Sequence, residues 1–186
     1  MVTIVNMTAP RWVLLSSRVP REPTRLRLAV WRRLRRLGAV LLHDAVWVLP
    51  VDSRTREAFE WLADEIVERG GTALVWEAES LDQAQDRQLI RRFRDEAGAR
   101  YQAIADSAEA IGRAAGRRGT GASRLIGQAR RQLGGLERAI RLERRRDYFR
   151  SPVQARAIGS VNAARRRIVQ RQPNREPGGA KRAMGD

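Results

Sequence analysis

Short apolar runs alternate with helical patterns over the first 80 residues. The run WVLLSSRV, from Trp12 to Val19, is β-compatible and is closed by Pro20, so it predicts a buried strand. A helical pattern then begins near Thr24 and stops at Gly38. Its apolar residues recur at spacings of three: Leu28, Trp31, Leu34 and Leu37. We therefore expect these four side chains to form the buried face of the first helix.

The run VLLHDAVWVLPV places two apolar stretches around His43 and Asp44, which predicts a β-hairpin that ends near Pro50. Asp52 or Ser53 can cap a second helix, which should end at the Gly-Gly pair before the strand TALVWEAE. The inner face of that helix is predicted to contain Phe59, Leu62, Ala63 and Ile66. The order βαββαβ predicts an α+β domain over residues 11–80, of ferredoxin-like type, with two helices on one face of an antiparallel sheet.

After residue 80 the pattern is wholly helical. One apolar stripe predicts a long helix: Leu89, Phe93, Ala97, Tyr101, Ile104, Ala108 and Ile111. The segment GRRGTGAS breaks it, and a second stripe completes a helical hairpin: Ile126, Ala129, Leu133, Leu136 and Ile140. Ser151 and Pro152 resemble an N-cap followed by proline, which predicts a further short helix. We expect a basic helical region at 81–171 and a disordered tail at 172–186.

Charge is unevenly distributed between these two regions. The 186 residues carry 37 basic and 21 acidic side chains, a net charge of +16. Residues 11–80 hold 12 basic and 10 acidic residues, whereas residues 81–186 hold 25 and 11. Residues 113–186 alone hold 20 basic and five acidic residues, an imbalance too large to be paired internally, which favours double-stranded DNA as the partner. A solubilising basic helix and an acidic protein partner are the alternatives.

Several kinds of chemistry are excluded or disfavoured. There is no cysteine and only one histidine, His43, so a thiolate nucleophile, a cysteine-ligated metal and a polyhistidine site within one chain are excluded. His43 and Asp44 have no nucleophile beside them, which favours a turn pair over a catalytic pair. We expect no enzyme activity, no metal and no cofactor. The chain has neither a signal peptide nor an apolar stretch long enough for a membrane span, so we expect a cytoplasmic protein with no membrane partner.

Arginine clusters supply the candidate binding residues. One lies on the solvent side of the first predicted helix and another precedes Tyr148. The predicted DNA-binding residues are Arg25, Arg32, Arg33, Arg36, Arg141, Arg144, Arg145 and Arg146. An unpaired arginine stripe repels itself, and a polyanion relieves that cost. A solvated helix face neutralised by acids elsewhere in the fold is the alternative. The candidate oxyanion-binding residues are Arg18, Arg21 and Arg27.

Separated segments of the chain resemble the N-terminal domain of the ChrB family, the chromate-resistance regulators of bacteria. They include FEWLADEIVERGGTALVWEA, LIRRFRDEAGARYQAIADSAEAI and RRDYFRSP, in the expected order between residues 11 and 168. The family's R-x-x-VWR segment maps onto Arg27, Val30, Trp31 and Arg32, and its aromatic-proline segment onto Tyr148, Phe149 and Pro152. The resemblance implies a cytoplasmic transcriptional repressor that binds promoter DNA of a chromate resistance operon and releases it when chromate is present. ChrB proteins typically continue into a second domain of comparable size, where we expect a disordered basic tail in this sequence, whether it is a short family member or a truncated one. If oxyanion sensing resides in that second domain, we expect this chain to bind DNA without responding to chromate.

Two functions of different classes therefore stand side by side. The first is a chromate-responsive regulator that binds DNA as a homodimer, because most repressors read two-fold operators. The second is a non-enzymatic accessory module that senses chromate or a related oxyanion through arginines. An enzyme is the weakest option: a metal nuclease of this fold needs an acid at the end of the first strand, where the chain has Ser16, Ser17 and Arg18.

Overall fold

The computed structural model describes residues 11–170, apart from Arg21, Pro23 and residues 116–121. The described chain is α+β, with a four-stranded antiparallel sheet and five helices. The elements are β1 (Arg11–Arg18), α1 (Thr24–Leu37), β2 (Val40–His43), β3 (Val46–Pro50), α2 (Ser53–Glu68), β4 (Thr72–Glu79), α3 (Gln83–Ala115), α4 (Ala122–Arg146) and α5 (Gln154–Gln170). The predicted tail at 172–186 lies outside the described residues.

The sheet has the strand order β2-β3-β1-β4, so β1 is central and pairs with β3 and β4. Trp12 lies opposite Pro50 on one side and Ala78 on the other. The hairpin between β2 and β3 is confirmed, and it turns at Asp44, whose φ of 45° is a left-handed conformation that Asp tolerates. The order of elements over the first 80 residues is thus the predicted βαββαβ.

The two faces of the sheet bury different residues. Trp12 contacts Phe93 of α3, with ring centroids 5.9 Å apart. Side chains alternate along a strand, so Val13 and Leu15 point to the opposite face, where α1 and α2 bury them completely. On α2, Asp52 and Thr55 form a capping box: the Asp52 carboxylate accepts the Thr55 N–H at 2.7 Å, and the Thr55 hydroxyl accepts the Asp52 N–H.

The predicted buried face of α1 is wrong in part. Leu34 is buried as expected, but Leu28 is 46% exposed and Trp31 is 52% exposed. The buried positions are instead Leu26, Val30 and Leu34, which are spaced by four. Residues spaced by three drift around a helix by about 60° per step, so a run of such steps cannot remain against a sheet.

The chain divides into two compact units. The sheet unit contains the described residues up to Ala99 together with Glu143–Pro152. The helical unit contains Arg100–Leu142 and the described residues from Val153 onward. The sheet unit extends past Ser80, the border expected from composition, because Trp12 of β1 stacks on Phe93 of α3 and its indole Nε1 donates to the buried Asp86 carboxylate at 2.8 Å.

In the helical unit, α5 packs against α3 and α4. Gln154 donates to the hydroxyl of Tyr101 at 3.0 Å, and the Cβ position of Gly112 would lie 3.6 Å from Ala164. Helix α5 buries Ala157, Val161, Ala164 and Ile168, which follow one another at spacings of three and four. The helix begins at Gln154 rather than at Pro152, so proline does not occupy its first position.

Candidate nucleic-acid interface

The helical unit carries most of the charge surplus in the described chain. Its described residues include 11 arginines and three acidic residues, a net charge of +8. Glu137 forms an ion pair with Arg165, and Glu109 lies 3.8 Å from Arg156. Because these pairs occupy two of the three acids, most of the arginines have no carboxylate of this unit to bind.

Helix α4 separates its apolar and basic residues onto opposite sides. Ala129, Leu133 and Ile140 are buried. The opposite side carries Arg124, Arg131 and Arg138, which we call the α4 arginine stripe. Seven residues are close to two helical turns, so successive members start about 10.5 Å apart on the same side. All three are exposed, and none forms an ion pair with a described residue.

Glycines lie on the same side of α4 as the stripe. The Arg131 Nη1 atom lies 3.8 Å from the position that a Cβ of Gly127 would occupy, and Arg138 Nη1 lies at the same distance from the Cβ position of Gly134. Each guanidinium therefore lies back along the helix over a position with no side chain. A glycine inside a helix costs about 1 kcal/mol relative to alanine, so these two positions lower the stability of α4.

The predicted DNA-binding residues fall into three groups. Arg141 is exposed and lies in the helical unit, and Arg144 and Arg145 are exposed in the sheet unit. On α1, Arg25, Arg32 and Arg36 are exposed without an ion pair to a described residue, whereas Arg33 pairs with Glu65 at 3.0 Å.

The guanidinium of Arg146, another predicted DNA-binding residue, contacts groups inside the sheet unit. Its Nη2 lies 2.5 Å from the carboxylate of Glu143, which is only 1% exposed, and its Nη1 donates to the Arg35 carbonyl at 2.8 Å. Its Cβ also lies 2.8 Å from the Cβ position of Gly38, whose φ is +75°. Binding a phosphate would draw the Arg146 guanidinium away from the buried Glu143 carboxylate and from the Arg35 carbonyl.

Two of the three candidate oxyanion-binding residues line one surface pocket. Arg18 at the end of β1 and Arg27 on α1 border a cavity of about 490 Å³, together with Gly70, Gly71 and Thr72. Neither arginine forms an ion pair with a described residue. Arg21, the third candidate, lies outside the described residues.

No group of three or more His, Asp or Glu side chains in the described part of the chain is placed to hold a metal ion. Among the helices described, none combines the length and apolar character needed to cross a membrane.

Comparison with known protein families gives a match over most of the chain. Residues 27–170 match the family described as "Protein ChrB, N-terminal". The chain belongs to this family. Membership associates it with chromate resistance regulation. No curated protein and no solved structure matches the chain.

Two aromatic residues of the segment RRDYFRSP, which lies within the matched range, pack inside the sheet unit. The Tyr148 hydroxyl donates to the Leu37 carbonyl at 2.7 Å, and burial raises the pKa of Tyr148 to about 12. Phe149 lies with its ring centroid 5.4 Å from that of Phe93, and its carbonyl accepts a hydrogen bond from Arg94. Tyr148 and Phe149 therefore connect this segment to α1 and α3 within the sheet unit.

The α4 arginine stripe is not among the predicted DNA-binding residues, because it does not form a run of adjacent arginines in the sequence. Arg124, Arg131 and Arg138 are separated by six residues each, so no local window contains two of them beside each other. A test for arginine at a period of seven, with Gly127 and Gly134 at the same period, would have found the stripe.

Proposed function

We propose that this ChrB-family chain regulates chromate resistance by binding promoter DNA, and that the helical unit supplies the main phosphate-binding surface. The observation that carries the proposal is the uncompensated charge of +8, with the α4 arginine stripe exposed on one side of a helix. Arginines without carboxylate partners repel one another, and this repulsion is relieved when they bind a polyanion and displace its counterions.

The dimensions of the stripe suit a duplex. Arg124 and Arg138 begin about 21 Å apart along α4, which corresponds to about six base pairs of B-DNA. Guanidinium groups bind phosphate oxygens in a bidentate manner. Arg141 extends the same surface. Contacts of this kind position a protein on DNA, whereas sequence preference needs contacts to base edges.

The decisive experiment is a gel shift with the upstream region of the gene that encodes this chain, with and without chromate. The proposal expects a discrete complex that survives excess unrelated DNA and dissociates when chromate is added. A complex that unrelated DNA removes completely would reduce the role to non-specific binding. Absence of any complex at low salt would overturn the proposal. Dissociation by sulfate at the same concentration would show a general salt effect.

Further parts of the proposal concern context. We place the protein in the cytoplasm, assign it no enzymatic activity and treat it as a dimeric repressor, since operators read by repressors are commonly two-fold symmetric. We also class residues 11–80 with the ferredoxin-like folds, on the strength of the element order and the strand order β2-β3-β1-β4.

A second candidate function is oxyanion sensing by this chain itself. It is favoured by the cavity that Arg18 and Arg27 share with the Thr72 side chain, because two guanidinium groups and a hydroxyl suit a tetrahedral dianion. Calorimetric titration of chromate into the purified chain tests it. We expect heat of binding that is lost in Arg18→Ala/Arg27→Ala. No heat and no thermal shift with the wild-type chain would eliminate this candidate.

A further inference from the structure

The outer face of the α1 and α2 layer is divided by charge. On α1, the exposed side carries Arg25, Arg32 and Arg36, none of which forms an ion pair with a described residue. We call these three residues the basic row. Their positions all lie on the side of α1 opposite to the buried Leu26 and Val30.

Helix α2 presents the opposite charge. Its exposed side carries Glu57, Glu60, Asp64 and Glu68, which we call the acidic row. None of the four forms an ion pair with a described residue; Glu57 accepts a hydrogen bond from the indole of Trp61 at 3.4 Å. The two helices are linked to each other through Arg33 and Glu65, which lie between the rows.

The same face exposes large apolar side chains. Trp61 is 62% exposed, and Leu28, Trp31 and Val67 are each about half exposed. Exposed apolar groups rimmed by charge are typical of protein interaction surfaces. The face therefore suits a partner that places acidic residues over the basic row of α1 and basic residues over the acidic row of α2.

A pocket on α2 adds a specific receptor to this face. It has a volume of about 380 Å³ and is lined by Arg33, Trp61, Asp64, Glu65, Val67 and Glu68. Carboxylates beside an indole ring suit an incoming guanidinium, which can pair with the acids and stack on the ring. The basic row of α1 provides guanidinium groups of this kind on every copy of the chain.

We propose that the α1 and α2 face is the interface with a second copy of this chain. A two-fold axis that runs parallel to the face, between the two helices, brings the basic row of each copy over the acidic row of the other. An arginine of the basic row then enters the pocket beside Trp61 of the second copy. The arginines of α1 are thus assigned to association between copies, whereas those of α4 remain available to DNA.

Charge-reversal variants test this assignment by analytical ultracentrifugation. The wild-type chain should sediment at twice its mass of 21.1 kDa. Arg32→Glu/Arg36→Glu gives two acidic helices, and Asp64→Arg/Glu68→Arg gives two basic helices. Each variant alone should be a monomer, whereas an equimolar mixture should form a heterodimer in which both contacts are complementary. Recovery in the mixture also shows that each variant is folded.

The matched control reverses two exposed arginines with the same spacing on α3, Arg87→Glu/Arg91→Glu, and should leave the dimer unchanged. A monomeric wild-type chain at tens of micromolar would overturn the proposal. So would an Arg32→Glu/Arg36→Glu variant that remains dimeric but loses affinity for DNA, because the basic row would then be a DNA contact. The interface does not depend on DNA binding, so failure of the gel shift would leave this test valid.

Discussion

The two units of the chain differ in how many acidic residues accompany their arginines. In the sheet unit the described residues include 19 basic and 16 acidic side chains, and arginines such as Arg11, Arg35 and Arg146 are paired with carboxylates. In the helical unit 11 arginines face three acids. The same residue type therefore contributes to the fold where acids surround it, and becomes available to a partner where they do not.

The cores differ as well. The sheet unit is built on aromatic contacts in which Phe93 meets Trp12, Tyr148 and Phe149. The helical unit buries several alanines beside its larger apolar residues, among them Ala105, Ala108, Ala129, Ala157 and Ala164. Small side chains let helices pack closely, and they leave the outer positions free to carry charge. We therefore predict that substitutions in the aromatic core of the sheet unit lower the stability of the protein. Substitutions of exposed arginines in the helical unit should instead lower its affinity for DNA.

The largest expected effect is on stability of the sheet unit. Phe93→Ala removes a ring that three other aromatic side chains contact, and such a change costs about 3–5 kcal/mol of unfolding free energy. Urea denaturation measured by tryptophan fluorescence reports it, because all five tryptophans lie between residues 12 and 76. A loss below about 1 kcal/mol would show that the aromatic cluster does not hold the unit together.

The next largest effect is on DNA affinity. Arg131→Ala/Arg138→Ala removes two members of the α4 arginine stripe, and we expect affinity to fall about 10- to 100-fold. The slope of log affinity against log salt should decrease by about 1.8, since each phosphate contact contributes about 0.9. Fluorescence anisotropy at several salt concentrations measures both quantities.

The matched control for that variant is Arg87→Ala/Arg91→Ala on α3 of the sheet unit. It removes the same charge from exposed positions without an ion pair to a described residue. Its DNA affinity should stay within a few-fold of wild type. Equal losses in the two double variants would mean that net charge alone, and not the stripe, determines binding.

Two glycine substitutions, one in each unit, should change the free energy of unfolding in opposite directions by about 1 kcal/mol. Gly134→Ala places its Cβ 3.8 Å from Arg138 Nη1, where there is room, so it should stabilise the protein by up to about 1 kcal/mol. Gly38→Ala should destabilise it by more than about 1 kcal/mol, because its φ is +75° and its Cβ would lie 2.8 Å from the Cβ of Arg146. Thermal melts compare the two, and the same sign for both would contradict the account.

The smallest effect is expected at an ion pair of the helical unit. Glu137→Gln releases Arg165 and removes one of three acids, so DNA should bind a few-fold more tightly. Stability should change by less than about 1 kcal/mol, since exposed ion pairs contribute little. Anisotropy and a thermal melt measure the two outcomes; weaker DNA binding would show that the pair positions Arg165 for contact.

Much of the fold could be predicted, because the spacing of apolar residues along the sequence indicates which side of a helix or strand is buried. The stripe from Phe93 through Ala108 and the cap at Asp52 needed only local information, and both are observed. The buried face of α1 was misassigned because Leu28 and Trp31 are as hydrophobic as the residues that are buried. The choice between them is made by contact with the sheet, which a local pattern does not contain.

The candidate site was less predictable, because pairing joins residues that are distant in sequence. Arg146 lies in a run of three arginines that look equivalent, yet only this one reaches the Arg35 carbonyl, 111 positions away. Arg33 looks like its neighbours on α1 and pairs with Glu65. Basic clusters can be recognised in the sequence. Whether each guanidinium is exposed and able to bind a partner depends on its tertiary contacts.

The central claim is that the uncompensated arginines of the helical unit bind DNA phosphates. Its most direct test is the affinity of the wild-type chain for its upstream fragment as a function of salt. With six or more phosphate contacts, affinity should fall by about three orders of magnitude or more between about 50 and about 200 mM salt. An affinity that stays the same across that range would contradict the claim.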